Sequence, residues 1–243
     1  MTKRVAYFVT CIIDAVFPDI GEAALEVLEK QGVSVEFPEA QTCCGQPAFN
    51  SGFQDETRKV AEHFLDVFKG YDAIVTPSGS CAAMVHYYYP ELFKDHPRRD
   101  EAMQIASRTF EFTQYLVDEL SVTDVGVSLS KPARAAIHDA CHGLREMHIS
   151  RQPRALLSNV KNLTLTELAG HDQCCGFGGL FAIKMGEISS AMLNDKMMNI
   201  NANDADFIIA GDASCMMHIN GGLSRNQSTK RVVHIAEVLA GRI

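Results

Sequence analysis

The residues whose types and spacing point to chemistry are the eight cysteines, Cys11, Cys43, Cys44, Cys81, Cys141, Cys174, Cys175 and Cys215. Four of them form adjacent pairs followed by glycine, in QTCCGQPAF and in HDQCCGFGG. The last four cysteines follow the first four at offsets of 130, 131, 131 and 134 residues, so all eight belong to an internal duplication. Buried, inert thiols are a common fate for single cysteines. A vicinal disulfide would use each pair alone and leave Cys11 and Cys81 unexplained. Four thiolates converging on one point are a ligand set for an iron–sulfur cluster or for zinc.

The flanking sequence repeats as well. RVAYFVTC matches RAAIHDAC, and YDAIVTPSGSC matches ADFIIAGDASC, each an apolar run that delivers a cysteine at or just past its end. In the first half, residues 5–10, 34–38 and 73–76 read as strands, residues 20–31 and 53–69 as helices, and a further helix starts near Cys81. The corresponding strands of the second half are residues 135–138, 163–167 and 207–210. Residues 108–120 and 230–243 read as amphipathic helices that close the halves, and the polar GVSLSKP divides residues 1–128 from 132–243.

Alternation of strand and helix predicts an α/β protein of two pseudo-twofold-related halves, each a mainly parallel sheet flanked by helices. In such sheets the loops at the strand carboxyl ends converge on a crevice. Cysteines far apart in sequence are thereby expected to meet, with each set of four facing its own pocket. The glycine after each pair supplies backbone freedom where two neighbouring ligands must face one centre.

Composition narrows the partners. A chain of 243 residues with 47% hydrophobic and 21% charged residues has the makings of a proper core. Its net charge of -8 argues against nucleic acid. The opening MTKRVAYFVTCIIDAVF carries two basic residues before an apolar run, but Asp14 interrupts it and no convincing cleavage site follows. A cytoplasmic location is expected, with no direct membrane insertion, since no stretch has the eighteen or so apolar residues of a membrane helix. In a reduced compartment the cysteine count points to metal or redox chemistry rather than disulfides.

His142, next to Cys141, and His218, one turn after Cys215 if a helix begins there, are further candidates for a nitrogen ligand or a proton carrier. His138 and His171 rest on proximity in sequence alone. CCGFGG lacks the spacing and the lysine of a phosphate loop, and so reads as close backbone approach to a centre. YYYP at residues 87–90 reads equally as packing or as a partner surface. The methionines of residues 192–207 read as core ahead of a polar bend.

Cys11, the CCG at Cys43 and Cys44, Cys81 and their second copies resemble the duplicated cysteine-rich domain of the lactate utilization protein A family, across essentially the whole chain. The cysteine-rich subunit of heterodisulfide reductase and the glycolate oxidase iron–sulfur subunit share the pattern. The resemblance implies iron–sulfur clusters, one per half and of the 4Fe–4S type, held by the eight cysteines. It also implies electron transfer in a system oxidising L-lactate to pyruvate, with a ferredoxin-like iron–sulfur companion subunit and a third lactate-utilization subunit. In the heterodisulfide reductase relatives each motif ends Cys-x-x-Cys, whereas here Met84 and His218 stand at the last position. Their five-thiolate cluster is therefore not carried over. A thiol/disulfide oxidoreductase and a zinc-binding structural module without a redox role are the alternative functions.

Overall fold

The structure is a computed structural model and describes residues 4–243; Lys3, one of the two basic residues at the chain start, lies outside them. The first half runs β1 (Val5–Tyr7), α1 (Cys11–Val16), α2 (Pro18–Lys30), β2 (Val35–Glu36), α3 (Gln46–Asn50), α4 (Gln54–Val67), β3 (Ala73–Thr76) and α5 (Gly79–Ala83). A π-helical turn (Met84–Tyr88), α6 (Tyr89–Leu92), α7 (Arg99–Ser107), β4 (Thr109–Glu111), α8 (Phe112–Gln114) and a second π-helical turn (Tyr115–Glu119) complete it. The second half runs β5 (Ser128–His138), α9 (Cys141–Arg145), α10 (Arg151–Leu157), β6 (Lys161–Thr166), α11 (Phe181–Lys184), α12 (Gly186–Ala202), β7 (Phe207–Ala210), α13 (Ala213–Arg225), β8 (Val232–His234) and α14 (Ile235–Leu239).

Each half is a four-stranded sheet, ordered β2-β1-β3-β4 and β6-β5-β7-β8, and every pairing is parallel. The identical strand order carries the duplication into three dimensions. Side chains sort by the twofold period of a strand. Val5 and Tyr7 enter a core that also holds Ala135, Ile137 and α14, while Ala6 and Phe8 point into a separate core with Phe64, Phe68 and Tyr89. Burial on both faces is what a parallel sheet under helices requires, and it explains why β3 and β7 are buried throughout.

The halves meet through reciprocal contacts. α5 packs on α9 and its counterparts α13 and α1 pack together; α2 packs on α14 and their counterparts α10 and α8 pack together. Such exchange of equivalent elements is the mark of a twofold-like interface. At its centre a Cβ placed on Gly79 would lie 3.1 Å from the Gly143 Cα, so the two backbones touch directly.

Two expectations need correction. The closing segments are not helices throughout: each opens with a strand, β4 or β8, and only then turns into a helix. Their apolar residues fit either period over so short a run, and pairing with β3 or β7 decides it. The first strand ends at Tyr7 rather than Thr10, because Thr10 takes φ 75° and turns the chain into α1. The polar stretch 128–132 forms the start of β5, where the register with β6 shifts between Ser128 and Ala133.

Candidate metal centres

The chain after each of the first three strands of a half brings up cysteine. Cys11 opens α1 after β1, Cys43 and Cys44 precede α3 after β2, and Cys81 lies in α5 after β3. Cys141, Cys174, Cys175 and Cys215 occupy the matching places around β5, β6 and β7. Gly45 and Gly176 follow the pairs at φ 86° and 89°, in the left-handed region that favours glycine. Each backbone N–H reaches back to a sulfur, Gly45 to Cys43 and Gly176 to Cys174, both at 3.4 Å.

The sulfurs pair within each half. Cys11 and Cys43 are 3.6 Å apart and Cys44 and Cys81 3.5 Å; Cys141 and Cys174 are 3.8 Å apart and Cys175 and Cys215 3.3 Å. All eight are free thiols, from exposed Cys11 to buried Cys44, Cys175 and Cys215. These separations exceed a disulfide bond of about 2.05 Å and approach the roughly 4 Å between thiolates on one tetrahedral ion. Donor type, convergence and N–H support therefore fit a thiolate-bound metal or cluster.

The two sets do not face separate pockets. All eight cysteines line one cleft of about 150 Å³ between the halves. Direct backbone contact of α5 with α9 puts both sets on the same seam, which spacing along the chain does not reveal. Asp212 ties the seam: its Oδ2 accepts from Ser80 N at 2.9 Å and from Ser78 Oγ at 3.1 Å, both from the other half. Burial alone would raise the Asp212 pKa, but hydrogen bonds from Ser214 and Ser80 bring it below the usual carboxylate value. Gly178 and Gly179 of the CCGFGG segment line the cleft at φ 51° and 63°, in the left-handed region that favours glycine.

The thiols are electrostatically uneven. Hydrogen bonds from Cys11, Cys44 and the Gly45 amide pull Cys43 down to about 3. Cys174 is lowered in the same way by Cys141, Cys175 and the Gly176 amide. Cys44 is pushed up by sharing hydrogen bonds with Cys43 and Cys81 and by burial, and Cys175 likewise by Cys174, Cys215 and burial. Each half thus stabilises a thiolate at the first cysteine of its pair, the form that binds metal.

The remaining candidates separate. Of the four histidines, His142 lines the cleft, with Nδ1 3.4 Å from Glu146 Oε2. His218 and Met84 do not line it. His218 packs against Phe177, with Nε2 3.5 Å from Ser189 Oγ, and Met84 is buried in the first half's own core. His171 Nδ1 binds Asp139 at 2.7 Å, and Arg154 grips the same carboxylate with two nitrogens at 2.9 Å. Tyr89 is fully buried and donates to the Cys44 carbonyl at 2.9 Å, whereas Tyr87 is exposed. Met197 joins the core and Met198 faces solvent.

Spacing gives least weight to the residues that most distinguish the halves. Phe8 and His138 occupy equivalent positions, three residues before Cys11 and Cys141. Phe64 and Lys196 are likewise equivalent, each seven residues beyond the residue that its pair's glycine approaches, Thr57 or Ser189. Phe8 and Phe64 stack edge to face at 5.0 Å. His138 and Lys196 are instead a buried polar couple, with Lys196 Nζ donating to the Gly170 carbonyl at 2.5 Å. Burial, and then the Lys196 charge, lower the His138 pKa to about 4 and keep its imidazole neutral. A polar residue inside a strand-end pattern was the available signal.

Fold and site together define a duplicated cysteine-rich protein: the CCG cysteine-rich domain matches twice, over residues 5–86 and 135–220. The chain is 46% identical over 240 residues to lactate utilization protein A of Bacillus cereus, covering 98% of this chain and 99% of that one, and the same holds for the Bacillus thuringiensis protein. It belongs to the lactate utilization protein A family. A hypothetical protein from Helicobacter pylori shares the fold, with a TM-score of 0.63 at 14% identity, over 98% of this chain and 48% of that one. This chain thus spans about half the length of that structure.

Proposed function

We propose that the chain is an electron-transfer subunit of an L-lactate-oxidising system, with one iron–sulfur cluster held by each cysteine set. The single observation that carries this reading is the convergence of two complete thiol sets on one cleft. Family membership supplies the lactate connection, since the relatives bear the name lactate utilization protein A. Conversion of lactate to pyruvate releases two electrons and two protons. A bound cluster supplies one-electron chemistry.

The chain's own residues then have defined parts. Cys11, Cys43, Cys44 and Cys81 hold one centre, and Cys141, Cys174, Cys175 and Cys215 the other. The Gly45 and Gly176 amides donate to sulfur, a lever on potential. The glycines of CCGFGG let the backbone come close, and Asp212 keeps the two centres in a fixed relation across the seam. The sequence carries no flavin or nicotinamide fingerprint. Lactate is therefore oxidised by companion subunits, a ferredoxin-like iron–sulfur protein and a third subunit, and electrons pass through this chain in the cytoplasm.

A second reading is favoured by the two close sulfur pairs of each half, at 3.3 to 3.8 Å, separations that two thiolates on a single tetrahedral ion have and that are shorter than the wider spread of a cluster. Elemental analysis of anaerobically purified protein decides between them. Iron with acid-labile sulfide in both halves is the expected result. About one zinc per half without sulfide refutes electron transfer and leaves a structural module.

A further inference from the structure

We infer that His138 donates an imidazole nitrogen to the second centre beside Cys175 and Cys215, binding either an iron of a cluster or a single divalent transition ion. The inference rests on the metal-centre reading above and adds that the two centres are chemically unequal.

Three observations carry it. A ring nitrogen of His138 and the sulfurs of Cys175 and Cys215 all lie within 4.8 Å of one another, and all three residues are buried. Ligand atoms around one tetrahedral ion are about 3.5 to 4 Å apart, so one metal atom can reach all three with small movements. Both His138 ring nitrogens are buried without a well-formed hydrogen bond, with the His171 backbone lying beside one of them. A polar atom left so is costly to bury, and a metal bond at one nitrogen removes that cost there. The ring also borders a small cavity of about 30 Å³ shared with Glu111 and Thr113, room for about one water. A ligating ring therefore has a place to direct the proton of its second nitrogen.

The first half shows what the position looks like without this role. Phe8 fills it and packs on Phe64 and Phe68 at 5.0 and 5.6 Å. A benzyl side chain thus satisfies the fold there, and an unpartnered imidazole in the same place needs another reason. The four thiolates of the second set all have counterparts in the first, so the imidazole is an additional neutral donor; where it displaces one of them, the ligand set loses a negative charge and the reduction potential rises, as histidine ligation does in other iron–sulfur proteins. The second centre is then the stronger electron acceptor of the two.

The test is pulsed EPR on the full chain carrying 15N-labelled histidine, loaded anaerobically in two arms. One arm receives cobalt(II) alone, and the other iron with sulfide followed by reduction. The expected result is a strong 15N hyperfine coupling from directly bonded nitrogen, lost in His138→Phe and kept when His142 and His218 are both changed to alanine. Coupling in the cobalt arm assigns a single ion and coupling in the iron arm a cluster. Metal bound to the second cysteine set with no such coupling overturns the inference while leaving thiolate ligation intact. So does coupling that survives His138→Phe. Failure of both arms to load the second set overturns both the inference and the reading on which it rests. The labelled unsubstituted chain and the alanine variant report even if His138→Phe does not fold.

Discussion

Glu111→Gln should stabilise the protein at neutral and alkaline pH and leave it unchanged in acid. Glu111 caps α8 from the end of β4 and is 2% exposed. Its Oε2 accepts from Thr113 N at 2.8 Å, Thr113 Oγ1 at 2.5 Å and Gln114 N at 3.1 Å. Burial outweighs these bonds and raises the carboxyl from 4.5 to about 7. Between those values the folded chain holds a proton that the unfolded chain has released, so stability falls as pH rises through the window. At about 1.36 kcal/mol for each pH unit, the full loss above pH 7 is about 3 kcal/mol. Glutamine keeps an acceptor oxygen for the cap and cannot ionise. Urea unfolding of both proteins, metal-depleted and reduced, at intervals from pH 4 to 8 gives the difference directly, because all other titrations cancel. The gain for the variant should grow from near zero at pH 4 to about 3 kcal/mol at pH 8. A difference that is flat with pH would refute the reasoning.

Thr10→Gly should stabilise by about 1 kcal/mol in urea melts, because φ 75° with ψ 149° is a region open mainly to glycine; destabilisation would show that the Thr10 side chain contributes more than the backbone strain costs. Asp212→Ala removes two hydrogen bonds across the seam and should cost about 3 kcal/mol. Its signature is faster amide exchange at Ser80, and an unchanged rate there would count against the clamp. Lys196→Met removes a buried charge close to Cys175 and Cys215. The second centre's midpoint potential should fall by roughly 100 to 200 mV, the scale of a unit charge about 4 to 7 Å away at an effective dielectric of about 20; an unmoved potential would place the ammonium out of electrostatic reach.

The duplication, the parallel α/β class and the identity of the eight thiols are legible in the chain before it folds, because cysteine spacing and the apolar period of strands and helices are properties of local chain order. Even the glycine after each pair was legible, as the φ values of Gly45 and Gly176 show. The fourth strand of each half was not, since Thr109–Glu111 and Val232–His234 are too short to declare a period and become strands by hydrogen bonding to β3 and β7. Folding sets both cysteine sets on a single cleft: the contact of Gly79 with Gly143 and the bonds from Asp212 to Ser78 and Ser80 join residues remote in sequence. Folding also selects the histidine that matters. His138 lies three positions from Cys141 in the chain, but packing sets its ring against Cys175 and Cys215, which arrive from β6 and β7. Proximity created by packing leaves no trace in spacing, because the distance between two side chains depends on where neighbouring strands end rather than on how many residues separate them.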